Sequence, residues 1–145
     1  MENPHWCQVN SNKLKIIQIK WLIERNSKLS LDCKLLLYYS MIKPIWCYGI
    51  QLWGTASSSN IERIQRSQNK ILKMITCAPS YVRNSNIHRD LNVPFVKNEI
   101  IKHSESYLRK LETHPNLLAR NLLNNVGHHR LRRRDSADLV RIWRK

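Results

Sequence analysis

Along most of the chain, apolar residues recur at spacings of three and four. The breaks between those runs fall at Pro, Gly, Ser and Asn positions. From residue 13 to 25 the pattern is two-sided. Leu14, Ile17 and Trp21 share one helical face, while Ile16, Ile19 and Ile23 share the opposite one. Positions 17, 19, 21 and 23 also fit a strand period, and a helix with partners on both sides is the preferred reading of the two. After a break at 26–28, Ser30 offers an N-cap, and Asp32 places a carboxylate at the positive end of the helix that follows. That helix is expected from 31 to about 53, with Leu35, Tyr38, Ile42, Ile45, Gly49 and Leu52 inward. Pro44 removes a backbone donor in its middle and should kink it, and Gly49 should let another backbone approach closely.

Gly54 ends this helix, and 55–58 form a turn. Ser59-Asn60-Ile61-Glu62 fits a capping box, predicting a helix from 60 to about 76 with Ile61, Ile64, Ile71, Leu72 and Ile75 on its apolar face. Pro79 then breaks the chain. Residues 78–92 read as a loop with at most a short turn near Ile87. Pro94 suits the first turn of a helix over 95–112, with Val96, Ile100, Tyr107 and Leu111 inward. Pro115 separates a short helix over 117–124, closed by Gly127. No internal repeat is visible. The expected fold is all-α: an irregular leader over 1–11, a helical bundle over 12–78, a smaller helical extension over 79–127 and a basic tail over 128–145.

Composition supports helices and adds charge. Of 145 residues, 42% are apolar, enough for one domain with a core, and only 3 are Gly, which argues against a turn-rich β-fold. Lys plus Arg number 25 against 10 Asp plus Glu, a net +15. Self-repulsion at that charge disfavours compactness unless a polyanion offsets it; nucleic acid is the expected partner and an anionic membrane surface the alternative. No apolar run of membrane-spanning length is free of charge: the stretch over 35–53 comes nearest and is interrupted by Lys43, Pro44 and Gln51. Without a secretory signal, Cys7, Cys33, Cys47 and Cys77 are expected to be reduced and mostly buried, in a protein of the nucleus or cytoplasm.

The charge is patterned. Arg63, Arg66, Lys70 and Lys73 follow one another at three, four and three, opposite the apolar face of their helix, with no acid among them after Glu62. Such a stripe can track a phosphate backbone. Arg130, Arg132, Arg133 and Arg134 form a second basic group; from 130 to 145 there are 7 basic and 2 acidic residues, a balance of +5. That group reads as a nucleic-acid-binding arm, a nuclear-localisation patch or a solvated tail. His88-Arg89-Asp90-Leu91 resembles the protein-kinase catalytic loop, but position 95 is Phe where that loop needs Asn, and no Gly-rich phosphate loop precedes it. His128-His129 are adjacent and diverge, so no metal site is expected unless the fold gathers one from separated residues. No catalytic dyad and no cofactor are expected either. Trp46 and Trp53, seven apart, read as core, with base stacking as the sharper alternative.

Several strings are familiar in combination: Leu29-Ser30-Leu31, Lys34-Leu35-Leu36-Leu37-Tyr38, Ile42-Lys43-Pro44-Ile45-Trp46-Cys47-Tyr48-Gly49-Ile50-Gln51-Leu52-Trp53-Gly54, Ile64-Gln65-Arg66-Ser67-Gln68, Ile87-His88-Arg89-Asp90-Leu91, Pro94 and Glu99-Ile100. In this order they resemble the region downstream of the palm in jockey-like non-LTR retrotransposon reverse transcriptases, over roughly 13–140. The resemblance implies a thumb-like bundle that grips template–primer duplex, RNA–DNA or DNA, without reading sequence, followed by the family's C-terminal extension. It also implies that magnesium chemistry belongs to a Tyr/Phe-Ala-Asp-Asp motif in a palm, which this sequence lacks. The expectation is therefore a fragment of an RNA-directed DNA polymerase, non-catalytic alone, binding through Arg63, Arg66, Lys70, Lys73 and the arginines of the tail. A non-functional transposon relic, or a protein–protein interaction module anchored by Trp46 and Trp53, are the rival expectations.

Overall fold

The computed structural model describes residues 17–24 and 26–124. The leader over 1–11, Gly127, the basic run over 128–134 and the stretch over 136–145 lie outside the described residues. Among those described, the regular elements are helices and no strand forms, so the all-α class holds. In chain order they are α1 over 17–23, α2 Leu31–Leu37, a π-helical turn Tyr38–Ile42, α3 Lys43–Cys47, α4 Ile50–Trp53, α5 Ser58–Thr76, α6 Asn84–Asp90, α7 Val96–Glu112 and α8 Leu117–Asn124.

α1 is a helix, but it is one-sided. Ile19 and Ile23 are buried, whereas Ile17 and Trp21 are exposed. The buried ammonium of Lys34 donates to the Glu24 carbonyl just past its C-terminal end (3.2 Å), where a helix presents unsatisfied carbonyls and negative charge. Ser30 caps α2 as its side chain allows, accepting from the Cys33 N–H at 3.3 Å.

The expected long helix departs from regularity before Pro44 and again after it. A π turn precedes the proline, with the Lys43 N–H donating to the Tyr38 carbonyl five residues back. Pro44 then occupies the second position of α3, an N-terminal turn where a missing donor costs little. The full break comes at Tyr48-Gly49, where Gly49 takes a left-handed φ of +63°. These two irregularities change which residues face inward. Tyr38, Ile42, Trp46 and Ile50 are buried at every fourth position, followed by Trp53. In a regular α-helix that spacing drifts by about 40° per step, and the wider π turn corrects the drift. Leu35 and Ile45, expected inward, are only partly buried, and Leu52 is exposed. The close approach expected at Gly49 occurs at Gly54 instead. A Cβ on Gly54 would stand 2.5 Å from the Ile50 carbonyl oxygen and 3.0 Å from Ile100 Cγ2, whereas one on Gly49 would meet nothing within 4 Å.

α5 starts two residues earlier than expected, at Ser58. The capping box does not form: Ser57 is the cap and contributes no side-chain bond to the helix, its Oγ lies 3.0 Å from Ser59 Oγ, and Glu62 turns to Arg66. The far end closes on Cys77, a non-glycine in the left-handed region (φ 52°), with the Ala78 N–H reaching the Lys73 carbonyl at 3.1 Å. Cys77 and Cys33 are both exposed and only Cys47 is half-buried, so the expectation of mostly buried thiols fails for these three. A helix, α6, stands in the expected loop and buries Ile87 and His88. Pro94 lies before α7 rather than in its first turn. One hydrophobic cluster runs from Ile19 through Tyr38, Trp46, Ile64 and Leu72 to Val96 and Ile100, joining residues on both sides of Pro79.

Candidate nucleic-acid interface

α5 is the element on which a site can be built. Its inner side buries Ile61, Ile64, Ile71, Leu72 and Ile75, as the spacing requires, and each fully buried aliphatic side chain favours the fold by about 1.5–3 kcal/mol. α2, α6 and α7 pack against it. With the inner side committed, Arg63, Arg66 and Lys70 are left exposed and Lys73 half-buried. The stripe is not uniformly available. Arg66 pairs with Glu62 one turn back (3.3 Å), and Lys73 Nζ donates to the Ser80 carbonyl at 3.2 Å. Arg63 and Lys70 have no ion pair among the described residues. Both engaged cations are held at exposed surface, where such contacts are worth little and can be exchanged for a phosphate. Arg130, Arg132, Arg133 and Arg134 lie outside the described residues.

The same helix is locked from behind by polar side chains that the periodicity does not mark. Gln68 is buried; its amide nitrogen donates to the Tyr38 hydroxyl (2.9 Å) and the Pro94 carbonyl (3.0 Å), and its oxygen accepts from Gln65 Nε2 (2.9 Å). Gln65 Oε1 in turn accepts the Val96 N–H at 2.8 Å, satisfying the first amide of α7. His88 stacks on Phe95 with ring centroids 4.0 Å apart. Its Nδ1 lies 2.7 Å from the Val93 carbonyl, an acceptor only, so Nδ1 carries the hydrogen. Its Nε2 faces Asn69 Oδ1 (2.9 Å) and Gln65 Nε2 (3.4 Å). Burial holds His88 below the ordinary histidine value, and in the neutral ring Nε2 can accept only from the Gln65 amide nitrogen, since the Asn69 atom is itself an acceptor. His88-Arg89-Asp90, which resembles a kinase loop in sequence, is thus a structural joint between α5, α6 and α7.

Trp46 and Trp53 are both in the core, and the Trp53 indole donates to the Tyr48 carbonyl at 3.2 Å. Neither is available for base stacking or for anchoring a partner. Glu99 of α7, 3% exposed, holds Lys43 through Oε1 at 2.6 Å. Burial, with the Glu99 charge added, pushes the neighbouring Cys47 thiol up to about 11. Among the described residues, no helix is long and apolar enough to cross a membrane.

No family model matches the chain, and no solved structure does. Curated relatives do. The chain is 44% identical over 88% of its length to a probable RNA-directed DNA polymerase from transposon X-element of Drosophila melanogaster. It is 42% identical over 83% to one from transposon BS, and 39% identical over 76% to the RNA-directed DNA polymerase from mobile element jockey, both of the same fly. The chain spans only 12–14% of the length of these relatives. It is therefore homologous to a segment of the RNA-directed DNA polymerases carried by mobile elements. Within that class it groups with the jockey-like non-LTR retrotransposon reverse transcriptases.

Proposed function

We propose that the chain acts as a duplex-gripping, thumb-like segment of such a polymerase, holding the sugar–phosphate backbone of template–primer without reading base sequence and performing no catalysis by itself. The observation that carries this reading is the division of α5: its apolar side is committed to the core, and its cationic side faces outward, with Arg63 and Lys70 in no ion pair among the described residues. Backbone contacts of this kind position a duplex but carry no sequence information. Arg66 and Lys73 join when a phosphate displaces Glu62 and the Ser80 carbonyl, and Arg130, Arg132, Arg133 and Arg134 extend the contact. The residues present do not fit the magnesium of a polymerase centre, since the sequence lacks the paired-aspartate motif that would hold it.

The test is binding of a short RNA–DNA hybrid across a salt series. Neutralising about four to six phosphates gives a slope of roughly −4 to −5 in log affinity against log salt. Arg63→Glu with Lys70→Glu should flatten that slope by about two and weaken binding to hybrids of different sequence alike. Salt-independent binding, or no binding at low salt, would refute the reading.

A second reading has its own observation. Trp21, Leu36, Tyr48 and Leu52 are large apolar residues left exposed, and an isolated relic whose faces once met other parts of a polymerase would carry such a surface. Self-association in size-exclusion chromatography, without a cooperative melt, would favour it over duplex gripping.

A further inference from the structure

Three potential metal ligands meet beside the buried Lys43–Glu99 pair. Cys47 is the last residue of α3, and Glu99 and His103 stand one turn apart on α7. The thiol sulfur, a carboxylate oxygen and an imidazole nitrogen all lie within 4.8 Å of one another. Glu99 is almost wholly buried, Cys47 is half-buried and the His103 side chain is 39% exposed, so the cluster is closed on one side and open to water on the other. Lys43 takes Glu99 Oε1 at 2.6 Å and leaves Oε2 directed at His103 Nε2, 3.6 Å away.

We propose that Cys47, Glu99 and His103 form a binding site for a divalent transition-type ion, of which zinc is the best match. The donor set decides the class of ion. One sulfur, one imidazole nitrogen and one carboxylate oxygen suit zinc and its neighbours, whereas magnesium and calcium require shells of oxygen. The geometry is close to what is needed. Two ligands about 2.1 Å from a tetrahedral ion stand roughly 3.4 Å apart, near the observed carboxylate–imidazole separation of 3.6 Å. The sulfur must move inward by about 1 Å from the 4.8 Å limit, which a χ1 adjustment at the C-terminal residue of a five-residue helix can supply. Lys43 then orients the carboxylate from behind, the role that outer hydrogen bonds play for ligating groups. Water from the open side completes the fourth position. On binding, the Cys47 S–H bond breaks, its proton passes to solvent, and the thiolate and carboxylate bring two negative charges to the ion, the carboxylate's being shared with the Lys43 ammonium. A purely structural Lys43–Glu99 pair accounts for Oε1 but not for the thiol and imidazole gathered beside the same carboxylate.

The experiment uses the full chain with Cys7, Cys33 and Cys77 changed to Ser, so that Cys47 is the sole thiol. Zinc is titrated against a chromophoric chelator, and cobalt(II) serves as the spectroscopic probe. The expected result is one ion per chain, an ultraviolet thiolate-to-cobalt charge-transfer band, and release of about one proton per ion near neutral pH. His103→Gln should weaken zinc by more than the roughly 10–100-fold that loss of an outer-sphere partner costs, with the helical circular dichroism unchanged. Cys47→Ser should abolish the charge-transfer band. Equal zinc affinity in His103→Gln overturns the proposal. So does a cobalt spectrum without the thiolate band in the parent protein, a readout that requires no change at the site.

Discussion

Changing Gln68 to Leu tests how α5 is held, because the side chain is buried and all its polar atoms are used. Its nitrogen serves the Tyr38 hydroxyl at 2.9 Å and the Pro94 carbonyl at 3.0 Å, and its oxygen serves Gln65. Leucine fills much of the volume but leaves the Tyr38 oxygen and the Pro94 carbonyl without a donor. Each buried group so stranded costs about 1–3 kcal/mol, and the added apolar contact returns part of it, which sets the net loss at about 2–4 kcal/mol. For a domain near this size that lowers Tm by roughly 10–20 °C. The network reading makes a sharper demand on the pair. Tyr38→Phe alone strands a Gln68 N–H, but in the Gln68→Leu background it removes a hydroxyl that has already lost its partner. The two changes should therefore be sub-additive by about 1 kcal/mol or more in urea unfolding. Additivity within about 0.5 kcal/mol, or a Gln68→Leu protein as stable as the parent, would refute the idea that these bonds fix α5 against the π turn and the segment leading into α7.

His88 gives a pH signature. Burial lowers its folded value from the ordinary 6.5, so the unfolded chain takes up the proton first. The stability it contributes is complete above pH 6.5 and is lost as pH falls from there toward the folded value, with a slope of at most about 1.4 kcal/mol per pH unit. Unfolding the parent and His88→Gln proteins between pH 7.5 and 5 should show this component in the parent alone; parallel pH profiles would count against it. At Gly54, alanine should cost about 1–3 kcal/mol by crowding the Ile50 carbonyl, which as backbone cannot step aside. At Gly49, with open space around it, alanine should cost only the left-handed strain of about 1 kcal/mol, and thermal melts in the reverse order would be inconsistent with the two roles.

The helices that could be read from the sequence are those whose signal is local. α5 announces itself because five aliphatic residues and four cations divide on a single period, and Ser30 because a cap needs only the three residues after it. The inward row from Tyr38 to Ile50 resisted the same treatment. Its spacing of four is compatible with several helical faces until the π turn is known, and a carbonyl bonded five residues on leaves no mark in composition. α6 is not legible in the sequence because seven mostly polar residues gain their helix from burying two side chains, Ile87 and His88. Gln68 and His88 look like surface residues because the groups that satisfy them lie up to 30 positions away or on another helix. Of the candidate interface, the pairing of Arg66 with Glu62 follows from an i, i+4 spacing, whereas the hold of Ser80 on Lys73 depends on how the chain turns after Cys77.

The π turn at Tyr38–Ile42 makes this part of the chain sensitive to length as well as to identity. A π turn holds one residue more than the α-helical turn it replaces, so loss of a single residue there would be absorbed by straightening to an ordinary α-helix, with the inward row kept near its place. An added residue has no such outlet: it would turn Trp46, Ile50 and Trp53 away from the core by about 100° and take Lys43 and Cys47 from Glu99. Among homologous sequences, a one-residue insertion in this turn should mark those that no longer fold, whatever their overall resemblance.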